Sequence, residues 1–141
     1  MTTADLCYFE DLVVGEMYET PALTVTPAHV TRFLGLTGDW PDHHRDDGTV
    51  VPGLLPLCMS SGLGFRVPGP PLAVLAFMGF EWEFVRPLRV GDTIHSRARI
   101  VTKRAMREGG VVVEEREVLD QHGDVVQRGR FTFLVARRSS A

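Results

Sequence analysis

Gly53-Leu-Leu-Pro-Leu-Cys-Met-Ser-Ser-Gly-Leu-Gly-Phe-Arg66 is the stretch that decides the fold. Its apolar residues Leu54, Leu55, Leu57, Cys58, Met59, Leu63 and Phe65 are not confined to one helical face, and a helix apolar nearly all round is a buried helix. Pro56 falls in the first turn, where amides lack intrahelical partners, so it is compatible with the assignment. Val67-Pro-Gly-Pro-Pro71 then stops the helix.

Downstream the pattern changes to period two. In Phe80-Glu-Trp-Glu-Phe84 apolar and charged residues alternate, and Pro87–Asp92 reads as a turn. Ile94, Ser96, Ala98 and Ile100 form one strand face, with His95, Arg97 and Arg99 on the other. Gly109-Gly110 and Asp120–Gly123 read as the turns around two further strands, Val111–Leu119 and Val125–Val135. Together these predict a meander of four long strands. Upstream, Met17–Val25 has strand character. Thr26 is a good N-cap and Pro27 suits the first helical position of a helix carrying Val30, Phe33 and Leu34 and ending near Gly38. Asp39–Val51 reads as loop. An antiparallel sheet curled around a central buried helix is the arrangement that suits this order, an α+β fold. A half-wrapped core this small leaves apolar surface open, so a homodimer is expected.

The 141 residues have room for one domain, taken as 1–141. With 44% hydrophobic and 23% charged residues the chain is neither disordered nor dependent on stapling. A net charge of −3 without charge blocks argues against nucleic-acid binding. No apolar run is long enough to span a membrane, and the N-terminus does not read as a signal peptide. Cys7 and Cys58, far apart and without framework spacing, suggest reduced thiols in a cytoplasmic protein, Cys58 as an inert core thiol.

The chemistry-bearing residues cluster just before the helix. His43, His44, Asp39, Asp42, Asp46 and Asp47 lie within nine positions, on a loop that ends at a glycine and a helix N-terminus. Such a terminus offers free amides and the positive end of a dipole to a polarised oxygen. A plain solvated loop is the simpler reading. A metal site built from His43, His44, Asp46 and Asp47 lacks the helical spacing of paired histidine ligands. Ser60-Ser61-Gly62 lacks the surroundings of a nucleophile elbow.

The chain resembles the MaoC-like family of hot-dog-fold hydratases and dehydratases. The family's Gly-Asp-x-Asn-Pro-x-His is matched by Gly38-Asp-Trp-Pro-Asp-His-His44, and its Gly-Met-Leu by Gly53-Leu54-Leu55. Ser61-Gly62-Leu63 and Phe84–Asp92 match a central-helix motif and a turn before a strand. The resemblance implies Asp39 and His44 as the catalytic pair, with His43 a rival one position away. It also implies the Gly53 amide as the oxyanion hole, and Trp40, His43, Leu54 and Ser61 beside the substrate. The implied substrate is an enoyl or 3-hydroxyacyl thioester on coenzyme A or an acyl-carrier protein, with no metal or organic cofactor. Pro41, Asp42 and Pro52 depart from the pattern, and only eight residues separate His44 from Gly53. That short segment leaves two other expectations open: a diverged dehydratase or cyclase with a larger or untethered substrate, and a non-catalytic acyl-binding subunit.

Overall fold

The computed structural model of this protein describes residues 6–38 and 50–138. Thr26 and Pro27 open the first helix, α1 (Pro27–Thr37), as their chemistry requires. The Thr26 hydroxyl accepts from the His29 amide at 3.3 Å, while His29 Nδ1 accepts from the Thr26 amide at 3.0 Å. Two orphan amides are thereby satisfied together. Gly38 closes the helix in the left-handed region, φ 72°, its amide donating to the Leu34 carbonyl.

The strand expected over Met17–Val25 is divided into β1 (Met17–Glu19) and β2 (Leu23–Thr24), both antiparallel to β4 (Thr93–Met106). Pro21 lies between them and has no amide to give to a ladder. The second helix, α2, spans Leu54–Leu63 and tightens into a 3-10 turn over Gly64–Arg66, so its α-helical part is shorter than the sequence predicts. Glycines at 62 and 64 weaken its last turn.

The long strands are β3 (Val74–Phe84), β4, β5 (Gly109–Leu119) and β6 (Val125–Val135), in the sheet order β1-β4-β5-β6-β3. β4, β5 and β6 form the expected meander. β3 departs from it, pairing with β6 at the edge opposite β1. The connection from β3 to β4 carries the chain across the sheet. It buries Leu88 in the core and is tied down by Val51 N–H to Leu88 O and Gly91 N–H to Val25 O, each 2.8 Å. The turn expected at Gly109-Gly110 falls at Arg107-Glu108, with both glycines already in β5. Gly110 is needed there because a Cβ would collide with the Phe9 ring.

Alternation along the strands sorts the two sheet faces. On the inner face Ile94, Ser96, Ala98 and Ile100 are buried. α2 lies against β4 and β5 on this side, burying Leu55, Pro56, Ser60 and Leu63. Its other flank is not covered. Leu54, Cys58, Ser61 and Phe65 are exposed, so the all-round burial predicted for this helix, and the core placement of Cys58, do not hold within one chain. One face of one sheet can cover only one side of a cylinder.

The outer face carries two rows of alternating charge. Register aligns Glu19, Arg97, Glu117, Arg128 and Glu83 in one row, and Arg99, Glu115, Arg130 and Glu81 in the next. Arg97–Glu117 at 2.9 Å, Arg128–Glu83 at 3.0 Å and Arg99–Glu115 at 3.0 Å are among the pairs formed. Exposed pairs each contribute only about 0–1 kcal/mol. Their stronger effect is on register, since any slip of one residue would bring these charges into the core.

Gly129 on β6 faces inward beneath the Trp82 indole, and a Cβ there would collide with the Glu81 carbonyl and meet the indole at 2.7 Å. Gly129→Ala is therefore expected to lower stability by about 2 kcal/mol, an overpacking cost, measured as a fall in the urea midpoint.

Candidate active site

The N-terminus of α2 is shaped by two prolines, neither of which can donate. Pro52 has no amide, and Pro56 cannot supply the amide that an α-helix would direct at the Pro52 carbonyl. The Leu55 amide takes that role instead, at 3.0 Å, which fixes the peptide plane between Pro52 and Gly53. The next plane is fixed from the other side. Gln127 Nε2 donates to the Gly53 carbonyl at 2.9 Å, and Gln127 Oε1 accepts from Trp82 Nε1 at 2.8 Å. Gln127 is only 3% exposed, so this relay runs inside the sheet. No acceptor among the described residues takes the Gly53 amide proton.

Gly53 opens on a pocket of about 260 Å³ lined by Val50, Pro56, Phe84, Arg86, Pro87 and Gln127, among others. The linker forming one wall is anchored from below. Arg86 pairs with Asp120 in the β5–β6 turn, and the Val85 and Arg86 amides both donate to the Val126 carbonyl. Burial works to raise the Asp120 carboxyl. The amides of Asp124 and His122 and the Arg86 guanidinium outweigh it and hold the group below the usual carboxylate range.

Of the residues singled out in the sequence, Gly53 sits at the α2 N-cap as expected. Leu54 and Ser61 lie seven positions apart, two turns of helix, and share the open flank with Cys58. Leu54 is 50% exposed. Ser60, beside Ser61, is the inward serine, hydrogen-bonded to Ser96 at 2.7 Å. Asp39, Trp40, His43 and His44 lie outside the described residues. So do Asp46 and Asp47, the other ligands weighed for a metal site, and among the described residues no cluster of acidic, histidine and cysteine side chains could hold a metal ion. Trp82, Gln127, Arg86 and Asp120 were not legible as site residues. Gln127 left one signal, a polar side chain on an inward position of a strand.

No family model matches the chain. Protein MaoC of Klebsiella aerogenes is 26% identical over 92% of this chain, which spans only 38% of that protein's length. A solved structure described as a monoamine oxidase regulatory protein from Archaeoglobus fulgidus is 28% identical, with TM-score 0.86 over 99% of this chain and 100% of that one. The MaoC-like dehydratase from Rhodospirillum rubrum superposes with TM-score 0.80 at 24% identity, covering 95% and 99% of the two chains. A Mycobacterium tuberculosis protein with a double hot-dog fold gives TM-score 0.79 at 18% identity, covering 96% of this chain and 46% of that one. The fold is a hot-dog, α+β. Within that class the chain is similar to protein MaoC, whose family its motifs resemble. No helix among the described residues is long and apolar enough to cross a membrane.

The relay predicts an order of effects. Trp82→Phe keeps the ring stacked on Phe131 but removes one hydrogen bond, for a loss of about 1 kcal/mol. Gln127→Leu strands both the Gly53 carbonyl and the Trp82 N–H and should cost about 2 kcal/mol. Urea unfolding of both variants checks the order, and equal losses would argue against a connected relay.

Proposed function

We propose that the chain is a hydratase or dehydratase of enoyl and 3-hydroxyacyl thioesters carried by coenzyme A or an acyl-carrier protein. The observation that carries this reading is the Gly53 amide at the start of the central helix, which no acceptor among the described residues takes. Glycine is not demanded there by its backbone, since φ is −57°. Nor is it demanded by packing, since a Cβ would touch Phe84 at an ordinary 3.4 Å. A bare backbone is useful when something must approach closely from outside, and a thioester oxygen is such a group. The similarity to a MaoC-like dehydratase supports the same class.

In hydration, a base takes a proton from water while its oxygen bonds to the β-carbon. The alkene electron pair moves through the α-carbon onto the thioester oxygen, where the Gly53 amide holds the charge. An acid then returns a proton to the α-carbon as the carbonyl re-forms, and dehydration is the same path reversed. Asp39 and His44 are proposed as the pair that grips the water, His43 being the alternative base. Trp40, Leu54 and Ser61 are proposed to lie along the substrate. The step needs no cofactor.

The short segment 45–52 and the open α2 flank favour a larger acyl group than crotonyl as the preferred substrate. A second copy of the chain is proposed to cover the exposed apolar side chains of β3, among them Leu75, Phe77, Met78 and Phe80. Sedimentation at micromolar concentration should therefore give a dimer, and Phe77→Glu should shift it toward monomer. Asp39→Asn and His44→Ala should each lower kcat on the order of 100-fold or more with the fold retained. Turnover is followed by loss of enoyl absorbance across acyl lengths on both carriers. Full activity in both variants would remove the Asp/His mechanism, and a crippling His43→Ala beside a mild His44→Ala would move the histidine by one residue.

A further inference from the structure

The opposite end of α2 closes a second pocket, of about 340 Å³, that the proposed reaction does not use. Ile100 and Glu114 reach it from the sheet, Leu12 and Tyr18 from the N-terminal part of the chain, and Phe65 and Val67 from the segment after α2. Its size is within the range of small-molecule sites, which begin near about 300 Å³, and far exceeds what one water needs.

Two of its polar groups, Tyr18 and Glu114, are bonded to one another. Glu114 is 2% exposed. One of its carboxylate oxygens accepts from Arg116 Nε at 2.8 Å and from Arg116 Nη2, and the other accepts from the Tyr18 hydroxyl. Burial first, and the Glu114 charge second, hold the Tyr18 phenol well above its usual range, so it stays protonated. With its proton committed to Glu114, the Tyr18 oxygen can still accept a hydrogen bond.

The surrounding charges select against anions. Asp11 and Glu16 stand at the pocket with Glu114, and among the described residues no lysine, arginine or histidine lines it. Asp11 is engaged by Arg138, and Glu114 by Arg116. Lys103 stands beside the pocket, but its ammonium donates to the Phe9 and Leu12 carbonyls, so a carboxylate or phosphate would meet carboxylates and no cation on the described walls. The pocket is also separate from the Gly53 end. The ten residues of α2 span about 15 Å. Beneath them Leu55, Ser60 and Leu63 are buried against the sheet, with Ser60 bonded to Ser96.

We propose that this pocket is a second binding site, for a small, uncharged, largely apolar molecule whose hydroxyl donates to the Tyr18 oxygen. Leu12, Phe65, Val67 and Ile100 supply the apolar walls.

The test uses the intact protein and two probes of the same shape, 4-phenyl-1-butanol and 4-phenylbutyrate, titrated calorimetrically. The alcohol should bind saturably at one site per chain, and the acid at least about tenfold more weakly. Tyr18→Phe should weaken the alcohol by roughly tenfold, the loss of one hydrogen bond. Val67→Trp, which fills the pocket from a loop and leaves the sheet intact, should abolish binding without lowering the urea midpoint. Thioester turnover should be the same in Val67→Trp as in wild type. Absence of saturable alcohol binding, equal binding of the acid, or full binding in Val67→Trp would each overturn the site. Simple competition between the alcohol and the thioester would overturn it too, by placing the probe at the Gly53 end.

Discussion

A ten-residue helix with apolar side chains on every side cannot be covered by one sheet face, and the rest of the structure follows from how that problem is met. The flank of Leu55, Pro56, Ser60 and Leu63 is laid on β4 and β5, the centre of the meander. The chain then crosses the sheet through the Val85–Asp92 linker, so β3 and β4 sit toward opposite edges. The apolar side chains left on β3 and on the open flank of α2 are the remainder of the same problem, carried to the surface.

The ground beneath the helix is not uniformly apolar. One cluster gathers Val25, Phe33, Leu55, Leu88, Ile94, Val118 and Val126, and another gathers Phe9, Ile100, Val112 and Val135. Polar residues run across the sheet near their border: Ser60 with Ser96, and Tyr18 with Glu114 and Arg116. Desolvating an ion pair costs several kcal/mol per charge, so such a pair is a weak source of net stability. Its stronger consequence is selectivity. Removing one partner strands the other. Glu114 and Arg116 both lie on β5, so the constraint between strands comes from Tyr18 on β1, whose hydroxyl must reach the Glu114 carboxylate. Arg116 also lies over the Phe131 ring at 4.4 Å, which recovers part of the lost hydration.

What could be read from the sequence divides along the same line. Local chemistry was legible: the Thr26-Pro27 start and Gly38 stop of α1, the alternation of β4, and the Asp120–Gly123 turn all depend on neighbours a few residues away. Three features were not. The placement of β3 depends on which edge the linker reaches, and its composition allows either. Exposure of Cys58 and Leu54 depends on surface outside this chain, which helical periodicity does not encode. Which of two adjacent serines turns inward is a matter of helix phase, and Ser60 rather than Ser61 meets Ser96. The position of Gly53 at the start of α2 was legible, because the apolar run begins directly after it. Gln127 and Trp82 act on it from strands more than twenty-five residues away in sequence.

The two prolines of the helix start give the glycine its meaning. In an ordinary first turn the carbonyl four residues back from position 56 would accept that residue's amide, and the preceding residue would offer an amide of its own. Pro56 removes the first and Pro52 the second. The Pro52 carbonyl therefore pairs with Leu55, one residue earlier, while Gln127 holds the following carbonyl. Because N–H and C=O of one peptide plane point in opposite directions, clamping the Pro52 and Gly53 carbonyls aims the Gly53 amide away from Leu55 and the Leu54 amide away from Gln127. The donors are thus oriented before any ligand arrives, and an oriented dipole that need not reorganise is what makes an oxyanion site effective. Pro56, first read as merely tolerable in a helix, is the residue whose missing amide sets that geometry.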